Sequence, residues 1–202
     1  MLILLVVIAV PLLLIATGII PHRFRWHVLG MVCIAAVVIT IAREQTWFDI
    51  GIRSDTLVPA AIGYGIFVIV GYAAIRWYSS RLGLSKAENW KSDSHFRYLF
   101  IPISLAQQFV FMSFTLTRLK EVLGIGWLAI IMSVIIFTLA HAGYGNWRVQ
   151  LLLALVGGAG FSVLYYFFPN LIIASLAHMA LNLIAVYYGF FTTTASRAAI
   201  NQ

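Results

Sequence analysis

The chain has 202 residues, of which 62% are hydrophobic and 9% charged, with a formal net charge of +7. Soluble domains carry about 25% charged residues, so this composition excludes a soluble domain and describes a polytopic membrane protein. Its positive charge belongs to basic loops beside anionic headgroups, not to nucleic-acid binding.

A hydrocarbon core of ~30 Å needs about 20 apolar helical residues. Seven stretches answer to that length: 2–20, 27–42, 57–77, 97–117, 126–142, 148–167 and 171–191. The expected fold is therefore all-α, a transmembrane helical bundle of about seven spans in a single membrane domain over 1–202. The first stretch lacks the basic flank and cleavage site of a signal peptide and reads as a retained span, closed by Pro21-His22-Arg23. Cys33, in the second span, is the only cysteine, so these residues form no disulfide among themselves and no cysteine zinc site. Arg43 to Asp55 is a charged connector, and Trp77 to His95 is the longest predicted loop. Gly124-Ile125-Gly126 and Gly143-Tyr144-Gly145 punctuate the fifth span, and Pro169-Asn170 predicts a tight turn before the seventh. Gly157-Gly158-Ala159-Gly160 on the sixth span predicts close helix packing.

With seven spans, one side of the membrane holds Arg23, Arg25, Arg76, Arg81, Lys86, Lys91, Arg97, Arg148 and Arg197. The other side holds Arg43, Arg53, Arg118 and Lys120. The positive-inside rule then puts the N-terminus outside and the C-terminus in the cytoplasm.

Polar side chains inside these spans are costly in hydrocarbon and are functional candidates for that reason. His178 and Asn182 are four apart and share a helix face, which Ser175 joins. His141 follows Phe137 by four, near the end of the fifth span. Gln107 and Gln108 are adjacent amides in the fourth span, with Ser104 one turn before Gln108 and Met112 one turn after. Each site alone also fits an interhelical hydrogen bond, and His141 alone fits an interfacial histidine. Together they predict a small polar cavity within the membrane.

These motifs, in this order, resemble the CPBP family of CAAX proteases and bacteriocin-processing enzymes, also called Abi. The family carries EExxxR on one span, FxxxH on the next, and HxxxN or a close variant on a later one. Here FxxxH is Phe137 to His141, and HxxxN is His178 to Asn182. The resemblance covers about 97–190, and the upstream segment 47–55 (WFDIGIRSD) looks like the family's pre-core connector. It implies an intramembrane endopeptidase in which the glutamates activate water and the first histidine helps to position it. The later histidine and asparagine would stabilise the oxyanion.

The first motif departs from that pattern, reading Gln107, Gln108 and Met112 where the family has two glutamates and an arginine. An amide takes no proton from water at neutral pH. The six acidic residues, Glu44, Asp49, Asp55, Glu88, Asp93 and Glu121, are all expected in loops. Arg118 lies eleven residues past Gln107, on about the same face but ~16 Å further along the axis. The site residues implied are thus Gln107, Gln108, His141, His178 and Asn182, with no organic cofactor. A divalent metal would have little support without the glutamates.

The expected function is a pseudoprotease that binds a membrane-embedded or lipidated peptide, or a partner membrane protein. The alternatives are an active intramembrane endopeptidase, with a histidine near neutral pKa as base, and a small transporter.

Overall fold

The computed structural model describes residues 24–86, 94–141 and 147–190, with scattered residues between 6 and 21. The elements described from end to end follow in order: α1 (Arg25–Ala42), α2 (Leu57–Leu82), α3 (Ser94–Gln108), the π-segment (Phe109–Leu116), α4 (Thr117–Leu123), α5 (Gly126–Ala140), α6 (Trp147–Phe167) and α7 (Leu171–Tyr187). No strand occurs among the described residues. Leu57–Leu82, Tyr98–Leu123 and Val149–Phe167 are long and apolar enough to cross a membrane, and Trp26–Ala42, Gly126–Ala140 and Leu171–Tyr187 are shorter apolar helices beside them. Only 17% of the apolar window of α2 is buried, and Val58, Ile62, Ile66, Ile69 and Val70 all face outward. So wide an apolar surface suits lipid and not water.

The bundle's polarity is set by its end contacts. Thr56 Oγ1 donates to Pro169 O at 2.8 Å, and Asn170 Nδ2 donates to Arg53 O at 2.9 Å, joining the starts of α2 and α7. Ser79 Oγ donates to Tyr188 O at 2.9 Å near their far ends, so the two helices run parallel. One end of the bundle carries Arg76, Arg81 and Lys86, and the other Arg43, Arg53, Arg118 and Lys120. Arg23, Lys91 and Arg197, the side chains of Arg25, Arg97 and Arg148, and the 143–145 turn lie outside the described residues.

Asn170 terminates the turn before α7 in two ways. Its Oδ1 accepts from Ile173 N at 3.1 Å as an N-cap, while its amide reaches Arg53 O. With Asn170 only 2% exposed, Asn170→Ala removes both bonds and should cost about 2 kcal/mol. An unchanged melting temperature in detergent would contradict that assignment.

The connector ahead of α2 is a structural tie. Ile50 O accepts from Ser113 Oγ at 2.7 Å and from Tyr165 OH at 3.1 Å, and Gly51 O accepts from Leu171 N at 2.8 Å. Gly51 has φ +86°, and a Cβ there would collide with the Tyr165 hydroxyl. Glycine is thus required on both conformational and steric grounds. Thr46 closes the connector's first turn by donating its hydroxyl to Asp49 Oδ2 at 2.7 Å and its N–H to the same oxygen at 2.8 Å. The hydroxyl bond and then the N–H bond hold the Asp49 carboxyl below the usual range.

Three expectations need correction. The predicted loop from Trp77 is helical to Leu82, because α2 continues until Gly83 takes a left-handed φ of +64°. Glu121 is on α4 and not in a loop, where Arg118 Nη1 donates to Glu121 Oε1 at 2.7 Å and Arg43 Nη2 donates to Oε2 at 3.3 Å. The fourth span is not uniformly α-helical: 109–116 winds as a π-helix. The wider π turn rotates the residues beyond it, so the α-helical count that aligned Arg118 with Gln107 does not apply.

Candidate functional site

All eight residues of the π-segment are buried, and it begins immediately after Gln108. Within it, Thr115 Oγ1 donates to Val110 O at 2.6 Å, a five-residue reach that π winding brings into range. Extended π turns are uncommon and recur at functional sites. Here the segment holds Met112 wholly inside the bundle at 0% exposure. Ser162 Oγ lies 3.8 Å from Met112 Sδ and donates to Ser133 Oγ at 3.2 Å. The position where the resemblance calls for an arginine is therefore a neutral pocket of thioether and hydroxyls.

The adjacent amides diverge, as consecutive helix positions must. Gln108 is fully buried, and its Nε2 donates to His178 Nδ1 at 2.7 Å. Gln107 instead lines a cavity of about 40 Å³ with Ile8, Ile15, Trp26, Phe111 and Ala140. It does not reach His178, so the two glutamines serve different walls. His141 caps the end of α5, where its Nδ1 donates to Phe137 O at 2.7 Å.

The histidines meet around aromatic rings. Their centroids are 6.4 Å apart. Phe137 stacks on His141 at 4.3 Å and approaches His178 at 5.9 Å. Phe161 lies 5.2 Å from His178. Ser175 shares the buried face but bonds back to Leu171 O at 2.7 Å, within its own helix. Asn182 lies one turn beyond His178, half-buried, and bonds to neither histidine among the described residues. The structure thus brings Gln108, His141 and His178 together, sets Gln107 on the adjoining wall and leaves Asn182 apart.

These bonds set the proton pattern of the neutral rings. Because Gln108 Nε2 donates, His178 Nδ1 is the acceptor and the ring proton sits on Nε2. Because Phe137 O accepts, His141 carries its proton on Nδ1 and its Nε2 is the basic nitrogen. The two rings therefore carry their protons on different nitrogens. Gln108 Oε1 is buried without a hydrogen-bond partner, an arrangement that costs about 1–3 kcal/mol until a donor arrives.

A hard divalent cation does not suit this donor set. Among the described residues no group of three or more His, Cys, Asp or Glu side chains could hold an ion. Two imidazoles and an amide lack the carboxylate that hard divalent cations prefer.

Phe161 and Gly158 escaped sequence reasoning as site residues, although the glycine cluster marked their helix. A Cβ on Gly158 would lie 2.9 Å from Phe137 Cδ1 and 3.4 Å from its Cβ. Gly158→Ala must therefore push Phe137 along its stack with His141. The expected cost is about 1–3 kcal/mol. Gly157→Ala, with nothing within 4 Å, should be neutral. Equal melting temperatures for the two variants would refute this dependence.

The Type II CAAX prenyl endopeptidase Rce1-like family model matches residues 94–184. The matched segment holds Gln107, Gln108, Met112, His141, His178 and Asn182. No curated protein and no solved structure matches the chain.

Proposed function

Since residues 94–184 match the Rce1-like family model of Type II CAAX prenyl endopeptidases, we propose that this chain keeps the family's cavity as a binding site and not as a proteolytic centre. It is a pseudoprotease whose ligand is a membrane-embedded or lipidated peptide segment. The observation that carries this reading is the unpartnered Gln108 Oε1, on an amide whose Nε2 is held by His178 Nδ1 so that the ring's Nε2–H is turned outward from that contact. A peptide unit presents one N–H and one carbonyl oxygen. The amide oxygen would accept the first, and the imidazole N–H would donate to the second.

Proteolysis would require a group that takes a proton from water. Glu44, Asp49 and Asp55 sit on the connector and Glu121 is engaged by two arginines, while Glu88 and Asp93 lie outside the described residues. Of the groups joined at the site, His141 Nε2 is the basic one. With glutamines at 107 and 108, the first motif supplies no carboxylate to stabilise an imidazolium at His141. In the proposed orientation the end bearing Arg76, Arg81 and Lys86 faces the cytoplasm, and peptide enters from that side.

The test uses a fluorescent farnesylated peptide ending in a CAAX sequence and an unlipidated membrane peptide, each titrated against the purified chain in lipid nanodiscs. Saturable binding is expected for at least one. Gln108→Leu should weaken it about tenfold, the loss of one to two hydrogen bonds. Equal affinity for native and Gln108→Leu protein would remove the basis of the proposal.

A further inference from the structure

A second polar concavity lies away from the histidines, at the bundle end where α2 and α7 finish. It has a volume of about 720 Å³, and its lining includes Tyr72, Arg76, Ser79, Lys86, Tyr187 and Tyr188. None of its lining residues is acidic. Ser79 is buried and fixes one wall through its bond to Tyr188 O. Tyr72 and Tyr188 meet through their hydroxyls at 3.4 Å, and Lys86 Nζ stands 5.5 Å over the Tyr187 ring. The Arg76 guanidinium lies close to the Tyr72 hydroxyl. Among the described residues, two cations and several hydroxyls thus face one opening that no carboxylate lines.

The depth of this cleft is marked by its neighbours. Trp77 and Tyr78 flank it on α2, and Arg81 lies 5.6 Å over the Trp77 ring. Such aromatic and basic residues gather at the level of lipid headgroups. Below the cleft, both helices present apolar faces in register with it. On α2 the seven-residue spacing Ile62, Ile69, Arg76 puts two exposed isoleucines beneath the guanidinium. On α7 the spacing Leu176, Leu183, Tyr187 does the same for the tyrosine wall, and both leucines are exposed.

We infer that this cleft binds the phosphate of an anionic glycerophospholipid, with Arg76 and Lys86 on the phosphate and the acyl chains along the Ile62–Ile69 and Leu176–Leu183 faces. Basic pockets between membrane helices suit such headgroups. A free phosphate would satisfy the cations and hydroxyls alike, but only a lipid also uses the apolar faces below them.

Native mass spectrometry of the full chain in detergent separates these cases, with phosphatidylglycerol, phosphatidylcholine and inorganic phosphate as probes. Phosphatidylglycerol should bind tightest, and Arg76→Gln with Lys86→Gln should weaken it about tenfold or more. Phosphatidylcholine retention should not change. A control, Arg43→Gln with Lys120→Gln, removes the same charge from the opposite end and should leave phosphatidylglycerol affinity intact. Equal losses in both double variants would overturn the proposal by showing a general charge effect. Binding of inorganic phosphate as tight as that of phosphatidylglycerol would overturn the lipid assignment. Neither result depends on whether peptide binds at the histidines.

Discussion

Replacing Gln107 and Gln108 by glutamate and Met112 by arginine in one variant should raise peptide cleavage at least ~10²-fold above the native chain, the usual contribution of a general base. The gain requires that the rest of the site already stands in place. His141 and His178 are 6.4 Å apart by ring centroids, and position 108 already touches His178. A carboxylate at 108 only accepts hydrogen bonds, so it would reverse the polarity of that contact and require a proton on His178 Nδ1. It would also favour the imidazolium, in which both ring nitrogens donate. Position 107, on the adjoining wall with Phe111 and Ala140, would supply the second carboxylate next to the end of α5 that carries His141. Product analysis of a membrane peptide by mass spectrometry checks the outcome. A well-folded triple variant with native-level cleavage would mean that the histidines are not arranged for peptide hydrolysis.

Met112→Arg alone should behave in the opposite way, destabilising the protein by about 3–5 kcal/mol, the cost of an uncompensated buried charge. Met112 is 0% exposed, and its near polar neighbours are the hydroxyls of Ser162 and Ser133. Hydroxyls can accept from a guanidinium, but they cannot neutralise it. Adding the two glutamates should recover much of the loss, since the charge then has partners. Melting temperatures of the single and triple variants measure the coupling. If the single variant were as stable as the native chain, the buried neutral pocket around Met112 would be wrong. The same coupling explains why glutamines and a methionine occur together here: a neutral first motif leaves no charge to bury.

Much of this was legible because lipid simplifies the reading of a sequence. Apolar stretches of membrane length marked the helices, and polar residues within them marked the site. His178 is buried as its helix face required, and Pro169-Asn170 is the turn before α7. The split between Gln107 and Gln108 was implicit in helix geometry, since adjacent side chains cannot share a face. Two features were out of reach. The π-segment arises where eight consecutive side chains are packed on all sides, and no local residue preference distinguishes it from an α-helix. The unpartnered state of Gln108 Oε1 depends on its surroundings in three dimensions. The connector shows an intermediate case. Its resemblance was visible in 47–55, but its backbone carbonyls do the tying, through Ser113, Tyr165, Leu171 and Asn170, and backbone groups leave no trace in residue identity.

The most direct test of the central claim is prolonged incubation of the native chain, in nanodiscs, with whichever of the farnesylated CAAX-type and unlipidated membrane peptides shows saturable binding, and then mass spectrometry of the peptide. The account predicts a bound peptide recovered intact, at the same level as with His141→Ala protein. A cleaved product that accumulates with the native chain and disappears with His141→Ala would contradict it and make this a working endopeptidase.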